Sequence, residues 1–279
     1  MNLQIKASFN KELLSYFRTN KFLIIALVII GLSVFSPLII TGMSALLDST
    51  SDLYEEFGMD ITEMSEALGS SSSTGVASSV SDITGAGLIV LLLLINRAAG
   101  GEQKKRAVII PKSAGLKSLA YILPKFIIYP LSAFALAVAG MFASWGVSVL
   151  LFEINDVTFS GVLLAGLLSG VCLMFFVCFH LTLGTATGRA GMSAAICISA
   201  SILLSNIFAF TTMDYMYNPF ALDLIAASVL VNDSISGAEL QDIAVTVIFA
   251  FVLMIAAYFI AIFAQNARKI DNSGNEIDL

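Results

Sequence analysis

Polar and apolar positions in this chain separate into long blocks instead of alternating. Phe22–Leu47 runs without a single charge, and Ile127–Leu151, Phe159–Leu183, Ala190–Thr211 and Ile243–Phe263 are apolar to a similar degree. A helix needs about 20 mostly apolar residues to cross the ~30 Å hydrocarbon layer of a membrane, and each of these runs supplies them. Gly75–Ile95 is weaker, because its apolar core Leu88–Ile95 is short and Asp82 sits near its outer end. Counting it as a span gives six transmembrane helices, and the charge distribution requires it.

All 14 Lys and Arg residues fall in four segments. The first holds Lys6, Lys11, Arg18 and Lys21. The second holds Arg97, Lys104, Lys105, Arg106, Lys112 and Lys117, with Lys125 at its edge. Arg189 stands alone between the fourth and fifth runs, and Arg268 and Lys269 follow the last. Six spans place all four segments on one face, and an excess of Lys and Arg marks the cytoplasmic side. With five spans the segregation breaks. The expectation is a multi-pass protein of the prokaryotic plasma (inner) membrane with both termini cytoplasmic. Fifteen acidic residues, from Asp48 to Asp242, fall in or near the loops assigned outside, where a solvated surface is sufficient reason for them.

Composition agrees. The chain is 58% hydrophobic and 12% charged, with a mean hydropathy of +0.92, where soluble domains are about 25% charged. Cys172, Cys178 and Cys197 lie inside the apolar runs without a C-x-x-C pair and read as small packing residues. The first apolar run is too long for a cleavable signal, and a basic segment of 21 residues precedes it. The fold class expected is an all-α membrane protein with six transmembrane helices, an N-terminal amphipathic interfacial helix and a re-entrant or interfacial segment before the last helix.

The segments between the runs differ in character. In residues 1–21, Ile5, Phe9, Leu13, Tyr16 and Phe17 share a helical face, with Lys6, Asn10, Lys11 and Arg18 elsewhere. That pattern suits a helix lying in the membrane interface, or a cytosolic helix packed on a partner. Residues 48–74 form the largest external loop, with room for a short helix in Asp52–Leu68 and a Ser-rich run, Gly69–Thr74, that reads as a flexible linker. The loop 96–118 places apolar Ala107–Ile110 and Pro111 among basic residues, either to dock a partner or to snorkel onto anionic headgroups. In the outer region 213–242, Pro219–Val231 is apolar apart from Asp223 but has only 13 residues. It is too short to span, which leaves a re-entrant segment at the mouth of a pathway or a helix lying on the membrane. Residues 271–279 form a cytoplasmic tail.

Chemistry is sparse. There is no G-x-x-x-x-G-K-[ST], G-x-S-x-G, H-E-x-x-H or Cys/His metal spacing, so catalysis by this chain alone is not expected. His180, the one histidine, lies near the inner end of the fourth run; it either serves a proton or ligand or hydrogen-bonds a neighbouring helix. Ionisable residues deep in the runs are nearly absent, which weakens a secondary transporter. Gly166-Leu-Leu-Ser-Gly170 is a G-x-x-x-G pattern fit for close helix packing within the chain or at a dimer face. No internal repeat stands out.

The order of parts resembles the permease subunit of ABC-2 type ABC transporters over essentially the whole chain. The residues that carry the resemblance are Phe9-Asn-Lys-Glu-Leu-Leu-Ser-Tyr-Phe-Arg18, Asn96-Arg-Ala-Ala-Gly-Gly-Glu102, Val108-Ile-Ile-Pro111, Ser113-Ala-Gly-Leu116, Lys125-Phe126 and Tyr217-Asn-Pro-Phe-Ala-Leu222. The resemblance implies an exporter in which two permease chains, identical or merely similar, enclose the pathway. Each would dock on a separate ABC ATP-binding subunit that binds ATP and Mg, so no cofactor and no nucleic acid belongs to this chain. It implies an elbow helix at the N-terminus and a coupling helix within Glu102–Leu116, with Glu102, Arg106, Val108, Ile109, Pro111 and Leu116 facing the ATPase. It further implies a re-entrant gate containing Pro219, Phe220 and Asp223. A secondary transporter, and a non-transporting membrane scaffold or immunity protein, are the alternatives. The substrate is left open among lipid, peptide, drug and ion.

Overall fold

The computed structural model describes residues 2–56, 71–102, 111, 113, 115–152, 154, 156–210, 217–231, 237–267, 269–270 and 276–277. These residues are almost wholly helical. Helix α1 spans Asn2–Arg18 and turns into α2, Lys21–Glu56, through Asn20 in the left-handed region (φ 56°), a conformation Asn tolerates better than most residues. Helix α3 runs over Ser72–Gly101 and contains two π-helical segments, Ile83–Gly87 and Arg97–Gly101. Then follow α4 (Ser118–Leu151), α5 (Phe159–Thr187) and α6 (Ala190–Phe210). A 3-10 turn at Pro219–Ala221 leads into the short α7, Leu222–Val231, and α8 covers Gly237–Ala267. Two two-residue strands, Lys269–Ile270 and Glu276–Ile277, pair antiparallel in the tail.

Five helices (α2, α3, α4, α5 and α8) are long and apolar enough to cross a membrane. The sixth expected run is helical over Ala190–Phe210, with its apolar stretch described over Ala190–Leu204. Helix α5 is the centre of the bundle: 72% of its most apolar stretch is buried, against 28% for α2 and 22% for α8. It packs on α4, α6, α7 and α8. Its start is capped by the Thr158 hydroxyl accepting from the Gly161 N–H (3.2 Å), and its end by Gly188 in the left-handed region (φ 66°).

The G-x-x-x-G of α5 is spent inside the chain. A methyl group on Gly166 would lie 3.4 Å from Met141 Cβ and Val138 Cα, and one on Gly170 would meet the Phe134 ring at 2.6 Å. These glycines therefore let α4 approach α5. All three cysteines are buried and free, as small packing residues would be.

Three boundaries differ from the sequence pattern. Helix α2 continues nine residues past Leu47, so residues 48–56 are helix and not loop. The remainder of the expected helix in Asp52–Leu68 lies outside the described residues. The weakly apolar second span begins at Ser72 and ends at Gly101, well beyond Gly75–Ile95. Ser72–Thr74, read as linker, form the first turn of that helix. The reason is Asp156, in the α4–α5 connection. Its carboxylate accepts from the Ser72 hydroxyl (2.9 Å), the Ser73 N–H (2.9 Å) and the Ser73 hydroxyl (2.7 Å), satisfying donors that a helix start leaves open. Ser72 also donates its N–H to the Ile154 carbonyl (3.0 Å). Burial would raise the Asp156 pKa, but the Ser73 and Ser72 hydroxyls and the Ser73 N–H outweigh it and hold it below the ordinary value. Asp156→Ala is expected to cost about 1 kcal/mol, the usual worth of a capping side chain, and to accelerate hydrogen exchange at Ser73–Val76. The wild type should lose the same protection as pH falls through the depressed Asp156 pKa, because the contribution is present only while the group is ionised.

Candidate functional site: a buried ion cluster at the basic end

Helix ends near one another in space gather the basic residues. The C-terminal end of α3 touches the α5–α6 turn, where a methyl on Gly100 would meet the Gly184 carbonyl oxygen at 2.5 Å and the Ala190 nitrogen at 3.3 Å. Helix α1 packs across α4 and α2 at the same end. Lys11, Arg97, Lys125 and Arg189 thus share one end of the bundle, while the Asp156 clamp marks the other.

At this basic end the structure buries three charges that the sequence pattern did not place together. Glu12, Glu102 and Lys125 are 4%, 8% and 1% exposed. Lys125 lies in the first turns of α4, not at a loop edge. Its ammonium donates to Glu102 Oε2 (2.7 Å), the Tyr121 hydroxyl (2.8 Å) and the Ala98 carbonyl (3.0 Å), which engages all three of its N–H groups. The Ala98 carbonyl belongs to the second π segment. Lys125 also sits 4.1 Å from the centroid of the Tyr121 ring. The Tyr121 hydroxyl donates to Glu102 Oε2 (2.8 Å), and Lys11 reaches Glu102 Oε1 at 3.3 Å.

Glu12 ties in α1. It lies 3.9 Å from the Lys125 ammonium and 3.5 Å from Lys11, and accepts from the Tyr129 hydroxyl at 3.1 Å. Tyr16, four residues on, is buried, bonds the Ser132 hydroxyl at 3.0 Å and stands edge-on to Tyr129 with ring centroids 5.0 Å apart. Buried Lys125 and exposed Lys11 together balance the two buried carboxylates. Burial alone would push the Glu102 carboxyl up; Lys125, through its charge and its hydrogen bond, with Lys11 and Tyr121, outweighs burial and holds the pKa at about 2.

The inward face of α1 is therefore rotated from the apolar stripe read in the sequence. Ile5 and Phe9 are half-buried and Tyr16 buried, but Glu12 takes the centre, and Leu13 and Phe17 are exposed together with Leu3 and Leu14. The signal was present: Tyr121, Lys125 and Tyr129 recur at four-residue spacing on one face of α4, and that pattern of two aromatics around a lysine invites a buried carboxylate.

Of the residues expected to face an ATPase, Glu102 is one of the two carboxylates of this cluster. Arg106, Val108 and Ile109 lie outside the described residues. Pro111 and Leu116 are half-buried, and the Leu116 N–H closes a turn onto the Pro111 carbonyl at 3.0 Å. Gln4 of α1 donates to the Gly115 carbonyl at 3.2 Å. Helix α1 thereby grips both flanks of the 103–114 segment, through Glu12, Lys11 and Glu102 on one side and Gly115 on the other.

The expected gate residues sit apart from this cluster. Phe220 packs edge-on against Phe175 and Phe176 of α5, with centroids 5.2 and 5.8 Å away. Pro219 is buried, and Asp223 is half-buried with its carboxylate accepting from the Leu224 N–H at 2.9 Å. Helix α7 buries Leu222, Ile225, Ala226, Val229 and Leu230, packing against α5 and the first part of α3, Ser72–Asp82. His180 Nδ1 is 2.8 Å from the Ser193 hydroxyl of α6, which donates to the His180 carbonyl at 2.7 Å. That pair joins α5 to α6. Among the described residues, no group of His, Cys, Asp and Glu could hold a metal ion.

A helical bundle with five candidate spans defines a multi-pass membrane protein of all-α class. Compared with protein-family models, curated proteins and solved structures, the chain matches none.

Proposed function

We propose that this chain is the permease subunit of an ATP-driven exporter of the ABC-2 type. In this reading it crosses the membrane six times with the basic end in the cytoplasm, α6 serving as the fifth span and α1 lying in the interface. Two copies, or this chain and a similar one, enclose the pathway, each bound to an ATP-binding subunit. The observation that carries the reading is the grip of α1 on both flanks of the 103–114 segment, with α4 holding Glu102 on one of them. A loop that only connected two spans would have no use for a buried, charge-balanced lock at its base. A loop that receives force from an ATPase needs stiff attachment, so that its displacement reaches α3, α4 and α1 together. Exposed Leu3, Leu14 and Phe17 on α1 fit a helix half-sunk in lipid. Helix α7, tucked against α5 near the opposite end, fits a re-entrant element that closes the outer mouth, with Pro219, Phe220 and Asp223 at its start.

The experiment is co-purification. Expressed with a candidate ABC ATP-binding subunit, the chain is expected to hold that subunit, with ATP hydrolysis raised in lipid discs over the free ATPase. Replacing Val108 and Ile109 with Asp is expected to abolish the stimulation, about tenfold or more in apparent affinity for the ATPase, without loss of membrane insertion. Normal stimulation in that variant would place the docking surface elsewhere. A second reading, an ion-coupled carrier, gains from the buried Glu12, Glu102 and Lys125, since ionisable groups in a membrane protein mark ion pathways. Transport by the chain alone, driven by a proton gradient and lost in Glu102→Gln, would favour it.

A further inference from the structure

Helices α4, α5 and α8 enclose a groove of about 220 Å³. Helix α4 lines it between Leu123 and Pro130, α5 with Met174 and Cys178, and α8 between Phe251 and Tyr258. On α4 and α8 the lining positions recur at i, i+3, i+4 and i+7, which is one face of each helix. Ile127, Phe251 and Ile255 on the rim are exposed, so the groove opens on the outside of the bundle. Its floor lies inside: Cys178 and Met254 are 5% and 6% exposed. Toward the basic end it closes, where Phe126 stands edge-on to Tyr258 with ring centroids 5.5 Å apart and Tyr121 and Ile122 cluster with Ala261.

The outside of a membrane bundle faces lipid, and an unfilled groove there forfeits the dispersion contacts of its lining. The dimensions decide what fills it. Leu123 to Pro130 is ~10 Å of helix, so about 220 Å³ gives a cross-section of roughly 20 Å², against roughly 80 Å² for a helix ~10 Å wide. One extended hydrocarbon chain fits that section; a helix of a second copy and a fused-ring drug do not. At ~30 Å³ for a group the size of a water or a methylene, there is room for about seven methylenes. Depth points the same way. Lys117, exposed, is the N-cap of α4. The groove runs from ~9 to ~20 Å beyond it along α4, the level of lipid tails in a leaflet that is half of ~30 Å thick. Charge is complementary to an anionic headgroup at this end. Arg268 and Lys269 follow directly on α8, α4 carries no acidic residue, and those of α8, Glu239 and Asp242, stand at its other end.

We propose that this groove holds one acyl chain of an anionic phospholipid whose headgroup stays level with Lys117. The chain enters from the side, over Ile127 and Ile255, and fastens α8 to α4 above their direct contact at Tyr121 and Ala261. The lipid is thus a part of the folded bundle. The proposal requires a membrane-embedded chain and does not depend on the permease reading.

The test reconstitutes the intact chain in discs of phosphatidylglycerol with a diazirine near the middle of the acyl chain. After irradiation, adducts are mapped by peptide mass spectrometry. They are expected on Cys178 and Met254, which surrounding lipid does not reach, as well as on exposed Phe259 and Phe263. Diluting the reagent tenfold with phosphatidylcholine should cut the Phe259 signal about tenfold but the Cys178 signal about threefold or less, since each Lys or Arg near the surface favours an anionic lipid about fivefold. Cys178→Phe, which fills the floor, should abolish the Met254 adducts and leave those on Phe259 unchanged. Leu123→Trp, which narrows the groove from α4, serves in its place if that variant does not fold. Adducts on Phe259 and Phe263 with none on Cys178 or Met254 would mean surrounding lipid only and overturn the proposal. So would a Cys178 signal that falls in step with Phe259, or a Met254 signal that survives the filling substitution. No ATPase is present, so failure of the permease reading registers in co-purification and not here.

Discussion

Lys125→Met is expected to destabilise the protein by about 3–5 kcal/mol, the usual consequence of stranding a buried charge. Lys125 is 1% exposed, and removal of its ammonium leaves Glu102 with Lys11 and the Tyr121 hydroxyl, and the Ala98 carbonyl of the π segment facing an empty site. Methionine matches the length of the side chain but offers no donor. In a thermal-aggregation assay of detergent-solubilised protein, the variant should lose its monodisperse peak many degrees below the wild type. Lys125→Met/Glu102→Gln should recover much of the loss, since an apolar or neutral pair avoids the uncompensated carboxylate. A Lys125→Met protein as stable as wild type would mean the cluster does not hold α1 and α3 to α4. The pH dependence has a definite sign. Glu102 titrates at about 2 in the folded chain against an ordinary 4.5. Its contribution, roughly 3 kcal/mol from the size of that displacement, is complete above pH 4.5 and is lost as pH falls from there toward 2. Release of α1 should therefore appear as new protease sensitivity within residues 2–18 on acidification, and at neutral pH in Lys125→Met.

Gly184→Ala is expected to be more damaging than its single carbon suggests. The added methyl would fall on the backbone of Ala99, touching its carbonyl oxygen and lying 2.7 Å from its carbonyl carbon. The clash is with main chain on both sides, so no rotamer relieves it. The cost should reach or pass the upper end of the ~1–3 kcal/mol typical of overpacking. Gly166→Ala, whose methyl would meet its nearest neighbours at 3.4 Å, should be nearly neutral in the same thermal assay. Equal behaviour of the two would show that α3 and α5 do not meet backbone to backbone at the basic end. The Gly184 variant should also lengthen the weak Thr185 hydroxyl bond to Ala99, already 3.5 Å.

Much of this architecture could be read from the chain alone. Long charge-free runs announced α2, α4, α5 and α8 because the hydrocarbon layer sets one length scale for all of them. What escaped were features decided by partners distant in sequence. Ser72 and Ser73 look like linker until Asp156, more than eighty residues on, supplies the acceptor that makes them a helix start. Lys125 counts as one more basic loop residue until Glu102 and Glu12 meet it, and Glu12 disappears in an apolar stripe because a periodicity argument assigns faces by hydrophobicity. The π segments leave no local mark beyond Gly-Ala composition. Val108 and Ile109 remain legible only as an apolar patch in a basic loop.

The two π turns of α3 also carry a consequence for its phasing. Each widens the ladder to hold about one residue more than an α-helix of the same length, so it rotates everything beyond it by about 100°. Asp82 precedes both turns and Glu102 follows both. The aspect that α3 shows α2 at Ser78 and the aspect that it shows the lysine lock are thus two separately set dials on one rod. Were either turn to relax to ordinary winding, Glu102 would swing away from Lys125 while Asp82 kept its bearing, and the chain leaving Glu102 would be re-aimed without any helix having to tilt.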